Sequence, residues 1–206
     1  MSEKKPNFFG LSDEYLTLDF PAKMEDYQMW EAYHQRKILF NDEVDSNIVN
    51  TIVYWIIKWN EEDDKAGLVG DERQPIRIFI TSNGGDTVAG FAAIDAVIAS
   101  KTKVMTIAVG CAASMGILLL MSGHVRLAYP NTVLLIHDGS LGAHGTSNKV
   151  KSTMAFYDKL DQRIKKFILE NTTISEELYD EKADIEWFMF ADDEGIKYGI
   201  VDELLN

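Results

Sequence analysis

Short apolar segments of strand length alternate along this chain with longer segments in which apolar residues recur every three or four positions. The first pattern predicts β-strands, and the second predicts helices with one buried face. The predicted strands are residues 37–40, 76–80, 103–109, 125–129, 132–136 and 187–190. The predicted helices are residues 25–35, 87–100 and 147–170, one that begins near Asp45 or Ser46, and a short acidic one after Thr173. A strand, a glycine-containing turn and a helix therefore follow one another twice, over residues 76–100 and 103–121.

Three of the predicted helices carry an apolar stripe that indicates the face each one buries. In the helix near Ser46 the stripe is Ile48, Ile52, Ile56 and Trp59. In the helix over residues 87–100 it is Val88, Phe91, Ile94 and Ile98. In the helix over residues 147–170 it is Val150, Met154, Tyr157, Leu160, Ile164 and Phe167. The last helix is about twice the average length, so it either covers its own sheet or projects and packs against another subunit.

Two segments have no sustained helical or strand period. Residues 1–21 mix charge and glycine with aromatic residues, and we expect an extended arm that docks on the chain's own body or on a neighbour. These aromatic residues are Phe8, Phe9, Tyr15 and Phe20. Residues 61–74 are acidic and contain glycine, which predicts a mobile surface loop. The expected organisation is a divergent N-terminal arm over residues 1–25 and one domain over residues 26–206.

Composition and charge restrict the classes of function that remain. The 206 residues are 46% hydrophobic, which is enough for a full core, and the net charge of -13 opposes binding to nucleic acid. The apolar segments are too short to span a membrane bilayer. The sequence contains no Walker phosphate loop, HExxH motif or paired CxxC motif, which leaves nucleotide cofactors and metal ions without support. Cys111 is the single cysteine and the first residues lack an apolar signal core, so we expect a cytoplasmic protein.

The segment Gly-Cys-Ala-Ala-Ser-Met-Gly, residues 110–116, stands between a predicted strand and an apolar run. Small side chains permit a sharp bend, and a serine at a strand-to-helix corner can hold its hydroxyl beside the free amides of the helix N-terminus. Ser114 is therefore a candidate nucleophile for acyl transfer. The alternative is a packing corner at which the serine only caps the helix. Cys111 is a weaker candidate nucleophile, since its thiol more simply fills a small apolar space.

A second glycine-containing turn, Asn-Gly-Gly-Asp at residues 83–86, follows the strand over residues 76–80. If the two turns lie side by side, the backbone amides of Gly85 and Met115 can point at one oxygen, as in an oxyanion hole. The alternative is an ordinary tight turn, because glycine pairs occur in many loops.

His137 ends a predicted strand and precedes a glycine-containing loop. An imidazole in this position is a candidate general base for a serine at a neighbouring strand end. A histidine at a strand end more commonly has a structural role, with its ring hydrogen-bonded to a carbonyl. His34, His124 and His144 lack a comparable setting, and we expect them on the surface or in loops.

Four motifs together resemble the proteolytic subunit of the Clp protease, a family of serine peptidases in the crotonase-like superfamily. They are Ser-Asn-Gly-Gly at residues 82–85, the serine motif at residues 110–116, Ile-His at residues 136–137 and Tyr-Gly-Ile-Val-Asp at residues 198–202. The resemblance spans roughly residue 36 to the C-terminus. It implies an α/β, crotonase-like fold of repeated strand-turn-helix units with a long projecting handle helix.

The resemblance also implies an activity and an assembly. It makes Ser114 the nucleophile, His137 the general base, and the amides of Gly85 and Met115 the oxyanion hole of an endopeptidase without a cofactor. It further implies heptameric rings stacked in pairs as a tetradecamer, interlocked by the long helix. Such a particle degrades unfolded polypeptides that a separate ATP-dependent AAA+ unfoldase delivers.

The sequence departs from the family pattern on both sides of the candidate site. Asn83 stands where the family has proline, and Asp138 and Gly139 replace the glutamine and proline that follow the histidine. Ungapped spacing also places Lys182 where the triad aspartate is expected, and an ammonium group cannot accept the imidazole N–H.

Another carboxylate must therefore orient His137, or the triad lacks its acid. Asp184 is the predicted acid, because a small shift of register brings it to the required place. Asp180, Glu181, Glu186 and a dyad without an acid remain as alternatives. Asp202 belongs to the motif near the last strand, and we expect it to be structural.

Two other classes of function remain open. The lysine at position 182 also fits a non-catalytic ring subunit that acts as an interaction scaffold while a sister chain cleaves. A third possibility is an acyl-CoA enzyme of the wider crotonase superfamily, whose glycine-turn amides also stabilise an oxyanion. Those enzymes generally use carboxylates for acid-base chemistry, so the pairing of Ser114 with His137 favours peptide-bond hydrolysis.

Overall fold

The computed structural model describes residues 24–139 and 142–205. The arm predicted over residues 1–21 lies outside the described residues. The chain divides after Gln35 into two compact units. The first unit contains helix α1 (Met24–His34), along which the rings of Trp30 and His34 lie 4.1 Å apart between centroids.

The second unit is built around one mixed sheet. Its strands are β1 (Lys37–Asn41), β2 (Ile76–Ser82), β3 (Val104–Ala113), β4 (Val125–Ala128), β5 (Val133–Ile136), β6 (Trp187–Phe190) and β7 (Glu203–Leu204). Strands β1, β2, β3, β4 and β7 lie in that order and are parallel, while β5 pairs with β3 in parallel and with β6 in antiparallel orientation. Every predicted strand is present, which confirms the α/β architecture.

Helices connect the strands and cover the sheet. They are α2 (Tyr54–Ala66), α3 (Thr87–Ala99), α4 (Met115–Met121), α5 (Ser147–Asn171) and α6 (Glu176–Lys182). A π-helical turn (Val49–Val53) precedes α2, and another (Ala191–Gly195) follows β6. The 25 residues of α5 span about 37 Å at 1.5 Å per residue, as expected for the long helix.

A bulge in β3 determines where the serine corner falls. The register between β2 and β3 shifts: Ile80 lies opposite Ala108, and Ser82 lies opposite Ala112, so β3 holds two extra residues in between. Gly110, with φ of 73°, lies in this bulge. The strand continues to Ala113, beyond the predicted end at residue 109, and it changes its partner from β4 to β5 on the way. The corner therefore falls on the residue directly after Ala113.

The apolar stripe predicted before and along α2 is confirmed, since Ile48, Ile52, Ile56 and Trp59 are all buried. The predicted surface loop over residues 61–74 is wrong in its first part, because α2 continues to Ala66. Asp63 is only 1% exposed, and its carboxylate accepts hydrogen bonds from Arg36 Nη2 at 2.6 Å and Thr102 Oγ1 at 2.7 Å. One acid of the run therefore faces inward and ties α2 to the sheet.

The buried face predicted for α3 is partly wrong. Val88 and Ile98 are 57% and 54% exposed, whereas the buried residues are Gly90, Ala93, Ile94 and Val97. A side chain added at Gly90 would collide with the Met115 side chain, so this helix packs on α4 through its small residues. Because α3 is apolar on almost every face, the period of its apolar residues does not identify the buried one.

Candidate active site

Ser114 occupies the corner between β3 and α4. Its backbone has φ of 52° and ψ of -123°, a conformation that non-glycine residues rarely adopt and that is common where a nucleophile is presented. Its amide donates to the carbonyl of Leu135 at 3.0 Å, which fixes the corner to β5. Its side chain makes no capping bond to α4, so the serine does not serve as a side-chain cap.

The turn after β2 is fixed by hydrogen bonds on both sides. Ser82 Oγ donates to the carbonyl of Asp42 at 2.7 Å and accepts from the amide of Gly84 at 3.1 Å. The amide of Val44 donates to the carbonyl of Gly84 at 2.7 Å, and the amide of Asp86 donates to the carbonyl of Val44 at 2.6 Å. None of these bonds uses the amide of Gly85.

The two glycine-containing turns lie against each other. A Cβ atom built on Gly84 would lie 2.5 Å from the Cβ of Ser114, 2.8 Å from the carbonyl oxygen of Ala113 and 3.0 Å from the amide nitrogen of Met115. Gly84 also has φ of 96°, so both the space and the backbone conformation require glycine there. Met115 is the first residue of α4, and its amide has no intrahelical acceptor.

His137 directly follows β5, beside the serine corner. Ala113 of β3 pairs with Leu135 of β5 in parallel register, and parallel neighbours end at the same edge of a sheet. His137 and Ser114 therefore stand at adjacent carboxyl ends, and both line one cavity of about 1140 Å³. The imidazole side chain is 22% exposed, and its Nδ1 lies 3.4 Å from Oε1 of Glu186.

The carboxylates considered for the triad are placed differently from one another. Asp180 binds Lys165 Nζ at 2.7 Å, and Glu181 binds Lys182 Nζ at 3.0 Å. Hydrogen bonds that Lys165 donates to Asp180 and then to Glu176 raise its pKa to about 12. Asp184 is exposed in the turn after α6. Across the described residues, the carboxylate within 4 Å of an imidazole nitrogen of His137 is that of Glu186.

Acidic and apolar groups line the cavity. Its carboxylates are Asp42, Glu43, Asp86 and Asp161. Its apolar wall includes Leu118 of α4 and Ile164 and Ile168 of α5. No lysine or arginine among the described residues lines it. The pKa of Asp161 is raised, first by burial and then by the neighbouring charges of Asp138 and Asp158.

The remaining candidate residues lie outside the cavity. Cys111 is half-buried with Sγ 3.7 Å from Asn83 Oδ1, and burial raises the pKa of its thiol, which opposes the reactive thiolate. His34, His124 and His144 are exposed, as expected. Asp202 accepts hydrogen bonds from the backbone and guanidinium of Arg126, which fits its expected structural role.

Within residues 24–139 and 142–205, no three histidine, cysteine or acidic side chains are grouped so that they would hold a metal ion. None of the helices in that part of the chain has both the length and the apolar character that a membrane span needs.

The fold and the paired turns define a ClpP-like α/β protein. A comparison with models of protein families matches residues 22–206 to the family described as Clp protease. This match covers nearly the whole chain and begins before the resemblance found by motif. The chain therefore belongs to the Clp protease family, as a Clp-type protease subunit.

Proposed function

We propose that this chain is a serine endopeptidase subunit, with Ser114 as the nucleophile and His137 as the general base. The observation that carries the proposal is the bond between the amide of Ser114 and the carbonyl of Leu135. It joins the corner to the strand that ends beside His137, and both side chains line the same cavity. Membership of the Clp protease family supports the same activity.

The reaction follows from these positions. Ser114 Oγ attacks the carbonyl carbon of a peptide bond while His137 Nε2 takes the hydroxyl proton. The C–N bond then breaks as the imidazolium returns the proton to the leaving amine, which yields an acyl-enzyme and the first product. Water, deprotonated by the same imidazole, attacks the ester and releases the second product with the Ser114 hydroxyl restored.

The negative oxygen of each tetrahedral intermediate needs donors that are already in place. We assign this role to the backbone amides of Gly85 and Met115. The contact between Gly84 and the serine corner sets the two turns side by side, and the bonds that fix the first turn do not use the Gly85 amide. Removing one such donor commonly costs a factor of about 10²–10³ in kcat.

A serine-directed probe tests the proposal. We expect a fluorophosphonate to label Ser114, and Ser114→Ala to lose roughly 10⁶-fold in the hydrolysis of a fluorogenic peptide. Cys111→Ala is the matched control and should retain cleavage. Retained hydrolysis in Ser114→Ala would refute the activity, and a protein that neither labels nor cleaves would be a non-catalytic scaffold.

The active form that we propose is a tetradecamer of two stacked heptameric rings in the cytoplasm, fed with unfolded polypeptides by an AAA+ unfoldase. Family membership and the lack of a nucleotide-binding motif in the sequence support it. Exposed apolar residues such as Val88 and Ile98 provide apolar surface that an interface would bury. Sedimentation velocity tests the assembly, and a monomer at micromolar concentration would contradict it.

A further inference from the structure

The carboxylate that faces His137 belongs to Glu186, which is neither the predicted Asp184 nor any other aspartate. We propose that Glu186 is the positioning residue of the site and that its carboxylate holds the imidazole of His137 in the reactive orientation. This inference rests on the proposed function, since it assigns the acid that the Ser114 and His137 pair requires.

The register of the sheet places Glu186 in this position. Strands β5 and β6 are antiparallel, and their last pair is Ile136 with Trp187. One step further along both chains, His137 lies opposite Glu186. Directly opposed residues in an antiparallel pair have Cβ atoms about 4.5–5.5 Å apart and point to the same face, which is the spacing that an imidazole and a carboxylate need.

Asp184 lies beyond the reach of this pairing. The amide of Ile185 donates to the carbonyl of Lys182 at 3.2 Å, so the chain turns at residues 183–184 before it enters β6. The amide of Asp138 donates to the carbonyl of Ala183 at 2.8 Å, so the chain after His137 meets this turn through its backbone. The side chain of Asp184 is exposed at that turn.

Three other acids of this region, on helix α6, have cationic partners. Asp180 and Glu176 both bind Lys165, at 2.7 Å and 2.9 Å. Glu181 binds Lys182 at 3.0 Å. Lys182, which lies where ungapped spacing places the family's aspartate, therefore forms an ion pair with Glu181. Glu186 contacts His137 instead.

The contact between His137 and Glu186 joins the atoms that a positioning carboxylate needs. Nδ1 is the imidazole nitrogen that faces Glu186, so a proton on Nδ1 is donated to the carboxylate and Nε2 is left to accept the proton of Ser114. The 3.4 Å separation exceeds the roughly 2.7–2.9 Å of a charge-assisted hydrogen bond. Catalytic hydrogen bonds are often long before substrate binds, and the positive charge that forms on the ring draws the carboxylate closer.

The exposure of Glu186 limits the size of the effect. Its side chain is 60% exposed, so water screens its charge more than it screens a buried triad aspartate. Loss of a buried triad aspartate costs about 10⁴-fold in kcat. For Glu186→Gln we therefore expect a loss of roughly 10- to 100-fold in kcat with KM changed less than about threefold, because the contact strengthens as the imidazolium forms.

The experiment compares this glutamine variant with Asp184→Asn, a matched control two residues away that should keep kcat within about twofold. Glu186→Asp should recover part of the kcat lost by Glu186→Gln. In Glu186→Ala, added formate should raise kcat, because the exposed site admits a small carboxylate. A role in folding alone would give neither the recovery by aspartate nor the response to formate.

Three results separate the possibilities. Loss of kcat in Glu186→Gln, together with recovery of Glu186→Ala by formate, supports the inference. Wild-type kcat in Glu186→Gln, or loss in Asp184→Asn instead, overturns it while leaving the serine mechanism intact if Ser114→Ala is inactive. Full activity in Ser114→Ala overturns the proposed function itself.

Discussion

Gly84→Ala is the substitution that tests most directly whether the turn after β2 positions the nucleophile. The new Cβ would lie 2.5 Å from the Cβ of Ser114, whereas two carbon atoms at optimal separation lie about 3.5–4.0 Å apart. One of the two turns must therefore move by about 1 Å, and a displacement of that size at a catalytic group costs about 100-fold in rate. We expect kcat for peptide hydrolysis to fall by roughly that factor.

Backbone strain must be separated from displacement of the serine. Gly84 has φ of 96°, and an alanine with a left-handed backbone costs about 1–2 kcal/mol in stability. Gly67, at the end of α2, has φ of 71°, and a Cβ added there would have no neighbouring atom within 4 Å, so Gly67→Ala carries the strain without the contact. Both variants should melt at lower temperature, but only Gly84→Ala should react slowly with a fluorophosphonate. Equal labelling rates in the two variants would refute the reasoning.

Three further substitutions or reactions test the core, the cysteine and the cavity charge. The pKa of Asp63 lies below its ordinary value of 3.8, chiefly because Arg36 donates to it. Its ionised form therefore stabilises the fold above that pH, and this contribution is lost as the pH falls through the lower folded-state pKa. Asp63→Asn should cost about 3–5 kcal/mol at pH 7, and thermal melting should show the difference from wild type shrinking below pH 3.8. Cys111 should react slowly with iodoacetamide at neutral pH because burial raises its pKa, and fast alkylation would contradict its placement. Asp161→Asn should reduce kcat/KM roughly two- to fivefold for peptides with lysine or arginine beside the cleaved bond, relative to neutral peptides, and an unchanged ratio would show that the cavity charge does not influence substrate choice.

The features that sequence predicted well are those encoded by neighbouring residues. Strands of a parallel sheet are buried on both faces, so they read as continuous apolar runs, as at residues 133–136. The serine corner was recognisable because small residues surround Ser114 between a strand and an apolar helix. The ends of two predicted strands in the sequence were enough to indicate that Ser114 and His137 lie at the same edge of the sheet.

The features that sequence did not predict depend on residues far apart in the chain. Asp63 stands in an acidic run that resembles a solvated loop, and its partner Arg36 lies 27 positions earlier. The neighbouring residues in the sequence do not indicate which acid of that run is buried. The buried face of α3 was equally hidden, because it is set by the close approach of Gly90 to α4.

The acid beside His137 depends on strand pairing, which a count of residues along the chain does not contain. Ungapped spacing reached Lys182 and suggested Asp184. The pairing of Ile136 with Trp187 depends instead on the ladder between β5 and β6. Because a shift of one residue reverses the face on which a strand presents its side chains, the ladder determines that the carboxylate beside the imidazole is that of Glu186.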